Sequence, residues 1–477
     1  MNVKLEEFKK DIKTKKVAVL GIGISNTPLI KYLGSLGVKI TAFDRADETA
    51  LGDTIKKLDG LDIKYSLGPD YLKELKGFDL IFKTPKVRFD IPELVREAEA
   101  GAEITSEMEL FCKLCPARIF AVTGSDGKTT TTTLIAKILE KHGYKCWLGG
   151  NIGTPLLDKI DEIGETDMVV LELSSFQLHT MRNRIHTAVV TNISPNHLDV
   201  HTSMNEYIDA KKNIFLYQNE NDTLVLNYDN KITREFASEG PGKVIFFSRR
   251  EQLEQGVVIS GGNVVYRDSG GKERVIVGTG DILLPGSHNL ENYMAAAAAT
   301  IDFVEPGDIK KVASSFTGVE HRNEHVRDIN GVSFYNDSIG TSPTRTIATI
   351  NSFSKKVILI AGGYDKHIPY DEMGETLAAR VKCLVLIGQT AGRIEKALTD
   401  EIERTGRGKD IPVIHCPSLE EAVMKAYENA QESDIVLLSP ASASFDMFKN
   451  FEERGNAFKK IVDELACSIG AKNTLNG

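Results

Sequence analysis

Along the first third of the chain, short apolar runs at 16–21, 38–44 and 78–82 alternate with stretches of helical spacing, one starting at about Thr27. Such alternation predicts βα units around a parallel sheet, because strands covered on both faces read as near-continuous apolar runs. A second series opens with a strand over 118–123, followed by a helix over 128–142 and strands over 168–173 and 187–192. Between 257 and 284 the pattern changes to short strands broken by glycines, as at 260–263 and 269–272, and predicts an antiparallel appendage. A third series, 332–336, 356–361, 382–387, 412–415 and 434–439, predicts another parallel sheet. The expected fold class is α/β in three domains, with boundaries near Leu110 and Val319.

Composition narrows the function classes. Hydrophobic residues make up 41% and charged residues 26% of 477, enough for real cores and too apolar for extensive disorder. The net charge of −9 is spread without a long basic block, so nucleic acid is not an expected partner. Residues 1–16 are charged and amphipathic, without the apolar core of a signal peptide, and no membrane-length apolar run follows. A cytoplasmic protein with no membrane insertion is expected. Of the six cysteines only Cys112 and Cys115 are close; their spacing is that of half a zinc site or a redox dithiol, but no second Cys or His cluster answers it. Buried thiols are the expected state.

The strongest chemical signal is Thr123-Gly124-Ser125-Asp126-Gly127-Lys128-Thr129-Thr130, at the end of an apolar strand and opening a helix. Glycines let backbone N–H groups approach phosphate oxygens, the helix start adds its dipole, Lys128 offers a cation and Thr129 can ligate Mg²⁺. Val122 stands where the commonest pattern has its first glycine. Hard oxygen ligands for the metal are expected beside this loop, and Glu172 ends the 168–173 strand, with His197 just past the next one. Gly21-Ile22-Gly23, with Asp44 about twenty residues on, suggests a nicotinamide-dependent dehydrogenase, but Asn26 occupies the place of the third glycine.

The runs Gly149-Gly150-Asn151-Ile152-Gly153, Leu171-Glu172-Leu173-Ser174-Ser175-Phe176-Gln177-Leu178 and 192–199 resemble the central signature of the Mur ligase family, and the resemblance extends along nearly the whole chain. It implies a Rossmann-like N-terminal domain over 1–110 that binds the UDP substrate and a central P-loop ATPase-like domain over 111–318, with a parallel sheet plus a small antiparallel sheet. A Rossmann-like C-terminal domain over 319–477 would bind D-glutamate. ATP and two Mg²⁺ ions are implied cofactors, with Gly124, Ser125, Asp126, Gly127, Lys128, Thr129 and Thr130 at the phosphates and Thr129, Glu172 and His197 on metal. In Tyr207-Ile208-Asp209-Ala210-Lys211 the resemblance implies that Lys211 is carbamylated by CO₂, which would turn a repelling ammonium into an anion able to hold a metal. The catalytic group is then Lys128, Glu172, His197 and Lys211.

Further stretches carry the implied ligands. Within 285–292, Asn289 and Asn292 are similar to an adenine-side motif, and Arg322 and Asp337 to nucleotide contacts from the third domain. Ser439-Pro440-Ala441-Ser442-Ala443-Ser444-Phe445-Asp446, continuing to Phe451 and Arg454-Gly455, resembles the branch that adds D-glutamate, with Ser444, Phe445, Phe451 and Lys366 as its contacts. Asn151 and Thr341 would meet the muramoyl substrate, UDP-N-acetylmuramoyl-L-alanine, and Ser25, Asn26, Asp44 and Arg45 its UDP end. Two departures stand out: Ile339 replaces a common lysine, and Lys83-Thr84-Pro85-Lys86 lacks the usual Ser-Pro-Gly.

The implied reaction passes the γ-phosphoryl group of ATP to the substrate carboxylate and lets the D-glutamate amine displace phosphate, in a monomeric enzyme whose domains close about a hinge. Another Mur-type ligase, a folylpolyglutamate synthetase-like enzyme and a regulatory nucleotide-binding protein share the phosphate loop. The 439–446 stretch is what favours the D-glutamate branch.

Overall fold

A computed structural model describes residues 2–475 except 24–25, 86, 154, 195–200, 285 and 366–367. It divides into two compact units, Met1–Phe316 and Thr317–Gly477.

The first unit holds two sheets. In the N-terminal one, β1 (Val17–Leu20), β2 (Ile40–Asp44), β3 (Ile63–Leu67), β4 (Leu80–Lys83) and β5 (Glu103–Thr105) run in parallel in the order β3-β2-β1-β4-β5. Every residue of β1 and β4 is buried, as continuous apolar runs in a doubly covered sheet require. The second sheet comprises β6 (Arg118–Thr123), β7 (Cys146–Gly150), β8 (Met168–Glu172), β9 (Thr187–Val190), β10 (Thr223–Asn227), β11 (Lys243–Ser248), β12 (Gly256–Ser260), β13 (Asn263–Arg267) and β14 (Glu273–Gly278). Their order is β14-β13-β12-β11-β10-β9-β6-β8-β7, parallel from β7 to β12 and antiparallel beyond. The antiparallel strands foreseen from their glycines thus extend the parallel sheet through the β11–β12 pair; they do not form a sheet of their own.

Helices Lys128–His142 and Ser287–Thr300 pack together, and the buried alanines 295–299 let their backbones come close. One apolar cluster, from Leu5 through Val19 and Phe111 to Leu226, joins both sheets of this unit.

The second unit carries β15 (Glu324–Ile329), β16 (Val332–Asn336), β17 (Val357–Gly362), β18 (Val381–Ile387), β19 (Val413–His415) and β20 (Ile435–Leu438), ordered β15-β16-β20-β17-β18-β19. Only the β15–β16 hairpin is antiparallel among these described strands. Helix Phe451–Leu475 covers one face through Phe458, Val462 and Leu465. No helix among the described residues is long and apolar enough to cross a membrane.

Candidate active site

The loop between β6 and the helix Lys128–His142 is shaped by two glycines in the left-handed region, Gly124 at φ 145° and Gly127 at φ 76°. A Cβ on Gly124 would lie 1.9 Å from Thr191 Oγ1, and one on Gly127 2.2 Å from Asn292 Oδ1. No larger residue keeps this loop at this distance from its neighbours. The loop is braced from below: Ser125 Oγ sits 2.9 Å from Tyr207 Oη and donates to Ser194 O, while Asn192 Oδ1 accepts from the Asp126 amide and Thr191 Oγ1 donates to Asp126 O. Lys128 folds back to donate to the carbonyls of Gly124 and Ser125 at 3.0 and 2.9 Å. Thr130 lies half-buried on the first turn.

Beside the loop, Thr129 Oγ1 donates to Glu172 Oε2 at 2.6 Å, and Asn151 Nδ2 to Glu172 Oε1 at 2.9 Å. Glu172 ends β8 and is almost fully buried. A hydroxyl and a carboxylate are the hard oxygen donors that a phosphate-bound Mg²⁺ takes, so the residues present fit that ion. Lys211 enters from the helix Met204–Lys212, buried, with Nζ 2.8 Å from Gly124 O, 3.2 Å from Thr123 Oγ1 and 4.8 Å from the centre of the Tyr207 ring. Burial, and then the nearby charge of Lys128, push its amine well below the ordinary lysine range. His197 lies outside the described residues.

A cavity of about 380 Å³ opens next to Gly127, lined among others by Asp126, Asn192, Phe247, His288 and Asn292. Asn292 accepts from Thr131 Oγ1 and donates to Asn289 Oδ1, both at 3.3 Å, so the two foreseen asparagines are linked.

On the N-terminal sheet, Asp44 accepts from the amides of Ile22 and Ala46 at 2.7 and 2.9 Å, which holds the Gly21–Gly23 turn against the end of β2. Asn26 is buried and donates to Leu20 O and Gly21 O, a tie within the turn; Arg45 is exposed and Ser25 lies outside the described residues. Cys112 and Cys115 are free thiols pushed up by burial, Cys115 to about 12.

In the second unit Asp337 is buried and accepts from Thr349 Oγ1, Ser439 Oγ and the Asn323 amide, and burial holds its carboxyl above the usual range. Arg322 and Thr341 are half-buried. Ser444 is buried in the loop after β20, Phe445 is exposed and edge-on to Tyr364 at 5.8 Å, and Phe451 stands edge-on to His321 at 6.1 Å. Lys366 lies outside the described residues. Ile339 gives its amide to His321 O.

This chain matches three family descriptions in series: "Mur ligase MurD-like, N-terminal domain" over 15–106, "Mur ligase middle domain" over 122–300 and "Mur ligase, glutamate ligase domain" over 321–442. It is 65% identical over 465 residues to the UDP-N-acetylmuramoylalanine–D-glutamate ligase of Acetivibrio thermocellus, covering 98% of this chain and 100% of that one. The proteins of the same name in Ruminiclostridium cellulolyticum and Clostridium novyi are 60% and 53% identical, again over 98% of this chain and 100% of theirs. The chain belongs to the Mur ligase family. Its fold is shared with the crystal structure of UDP-N-acetylmuramate-alanine ligase MurC from Thermotoga maritima, at a TM-score of 0.53 and 20% identity over 94% of this chain and 99% of that one.

Two features of this Mur ligase had no role assigned from the sequence, although His288 and Arg454 lie inside stretches that carry the resemblance. Phe247 and His288 line the cavity by Gly127; Phe247 sits near the carboxyl end of β11, where ligands of open parallel sheets gather, but in an apolar strand it reads as core. Arg454 is fully buried, donating from Nε to Ser338 Oγ at 3.0 Å, from Nη2 to Ser338 O at 2.8 Å, and from Nη1 to the carbonyls of Ser442 and Ala443 at 3.1 Å. Burial lowers its guanidinium to about 10. A buried arginine amid serines gives no periodic signal in sequence.

Proposed function

We infer that this Mur ligase joins D-glutamate to UDP-N-acetylmuramoyl-L-alanine with ATP, forming the amide through an acyl phosphate. The observation that carries the reading is the convergence of Lys128, the buried Lys211 and the Thr129–Glu172 pair on one glycine-shaped loop. Relatives at 65% and 60% identity bearing that ligase name support the substrates.

Members of the family work with ATP and Mg²⁺, and bound Mg²⁺ supplies charge neutralisation on the transferred phosphoryl group. Thr129 and Glu172 would hold one ion, and His197 with Lys211 a second. Lys211 suits carbamylation because burial, and then the nearby charge of Lys128, disfavour its charged form: the nitrogen lone pair attacks CO₂, a proton is released and a carbamate anion remains. Lys128 and the loop amides bind the γ-phosphate where charge develops as it passes to the alanyl carboxylate oxygen with release of ADP. The D-glutamate amine then forms the amide bond as the C–O bond to phosphate breaks.

Asn289 and Asn292 are assigned to the adenine side, and Asn151 and Thr341 to the muramoyl substrate. Asp44, Arg45, Ser25 and Asn26 are assigned to its UDP end, and Ser444, Phe445, Phe451 and Lys366 to D-glutamate. Asp337, which accepts from Thr349, Ser439 and the Asn323 amide, is assigned with Arg322 to the nucleotide. The three-domain division at 110 and 318, a monomeric state and a cytoplasmic location complete the proposal. Phosphate release measured with the UDP-linked alanine substrate tests it: D-glutamate is expected to support turnover and L-glutamate to fail, and equal rates would overturn it.

A further inference from the structure

Behind Lys211 the same helix reaches the N-terminal sheet. Glu206, on the first turn of Met204–Lys212, accepts from Arg88 Nη2 at 3.0 Å, and Arg88 lies in the segment that follows β4. Asp90 holds that guanidinium in a fork, at 2.9 Å from Nε and 2.8 Å from Nη2. The neighbouring Phe89 stands edge-on to the His179 ring at 4.7 Å, and His179 Nε2 is 3.3 Å from the same Glu206 oxygen. The other Glu206 oxygen accepts from Thr202 Oγ1 at 2.6 Å and from its amide, capping the helix start.

The segment bearing Arg88 begins at the edge assigned to the UDP end. Thr84 gives its amide to Leu20 O at 3.0 Å, and its methyl would lie 2.7 Å from a Cβ on Gly21, so movement of the Gly21 turn reaches Thr84 directly. Next to Glu206, Tyr207 touches Ser125, and at the far end of the helix Lys211 touches Gly124. Five residues of α-helix span about 7.5 Å and move as one body, so a displacement at Glu206 is delivered to Lys211.

His179, His201 and Glu206 present ligand atoms within 4.8 Å of one another, a spacing that a divalent cation could use. Both Glu206 oxygens, however, already accept from cationic or hydroxyl donors, and a guanidinium at 3.0 Å repels a second cation. An ion pair bridging two sheets fits these contacts better.

We propose that Arg88 and Glu206 form a clasp by which occupancy of the Gly21–Asp44 edge sets the helix Met204–Lys212, and with it Lys211, on the phosphate loop. Arg88 is thus a positioning residue. The inference rests on the ligase reading, which assigns the UDP end to that edge.

Titration of a non-hydrolysable ATP analogue with Mg²⁺, in the absence and presence of UDP-N-acetylmuramoyl-L-alanine, measures the coupling. The expected result is that this substrate tightens the analogue roughly five- to fifty-fold in the wild type and less than about two-fold in Arg88→Ala. Glu206→Gln should lose the same coupling, the double variant no more than either alone, and Arg88→Lys should keep part of it. Arg88 is 30% exposed in its side chain, so Arg88→Ala should fold; should it not, Arg88→Gln, which removes the charge and keeps most of the side chain, is expected to lose the coupling instead. Wild-type-like coupling in Arg88→Ala, additive losses, or a wild type without coupling overturns the clasp. Absence of D-glutamate-dependent turnover in the wild type overturns the ligase reading and the clasp with it, whereas normal turnover without coupling overturns the clasp alone.

Discussion

Gly124 and Gly127 show how single residues fix the phosphate loop. Alanine at Gly124 meets Thr191 Oγ1 at 1.9 Å and the Asn192 backbone at 3.1 Å, which cannot withdraw, whereas at Gly127 it meets the end of the Asn292 side chain, which can rotate. Gly124→Ala should therefore weaken nucleotide binding about a hundred-fold or more and Gly127→Ala less, since its remaining cost is the left-handed backbone, about 1 kcal/mol or more. Equilibrium titration with ATP checks the ranking. Lys211 offers a second test at this scale. Its amine, held low by burial, should take up CO₂ at neutral pH, where an ordinary lysine is protonated. Stripping bicarbonate should depress turnover and restoring it should recover the rate, while Lys211→Ala should be slow under both conditions.

At the scale of elements, the helix Glu107–Leu114 carries a buried acid. Glu107 has one oxygen without a hydrogen-bond partner among the described residues, and burial raises its carboxyl from 4.5 to about 7. The folded state then keeps a proton that the unfolded chain has released, so stability falls as pH rises between these values, by about 3 kcal/mol in all. Glu107→Gln should unfold at a higher temperature than the wild type at about pH 8 and at a similar one near pH 4. In the second unit, Arg454→Met would strand the carbonyls of Ser338, Ser442 and Ala443 and cost about 3 kcal/mol or more. Denaturant unfolding measures that loss, and the KM for D-glutamate should rise with it.

The elements legible in sequence were those whose pattern was dense: the all-buried strands β1, β8 and β17, β6 buried beyond Arg118, the threonine-rich helix after the phosphate loop, and the alanines of its packing partner. The β15–β16 hairpin was half missed, because β15 is a polar edge strand. Its signal was the Asn330-Gly331 pair, both residues with positive φ, the dipeptide that a tight two-residue turn favours. The half-buried edge strand β3, Ile63-Lys64-Tyr65-Ser66-Leu67, alternates apolar and polar residues and so does not show as one of the continuous apolar runs that mark the central strands. At the site, the glycine loop and Glu172 could be named from motif and strand position, whereas Lys211 was named only through the family resemblance, since by itself it reads as a solvated helix lysine. The Arg88–Glu206 pair joins residues 118 apart, and no local pattern encodes such a contact.

Across the whole molecule, two compact units with separate cores should melt as two calorimetric transitions. The UDP-linked substrate, whose assigned contacts apart from Thr341 lie in the first unit, should raise that unit's transition by mass action, by about 2.7 kcal/mol at a hundred times its Kd. A shift confined to the other transition would contradict the assignment. The most direct test of the central claim is a single assay of phosphate release and amide formation, with UDP-N-acetylmuramoyl-L-alanine, ATP and Mg²⁺, comparing wild type and Lys128→Ala. One phosphate per amide, dependence on D-glutamate and a loss of about a hundred-fold or more in Lys128→Ala are predicted. Release indifferent to the amino acid, or a Lys128→Ala enzyme as fast as the wild type, would contradict it.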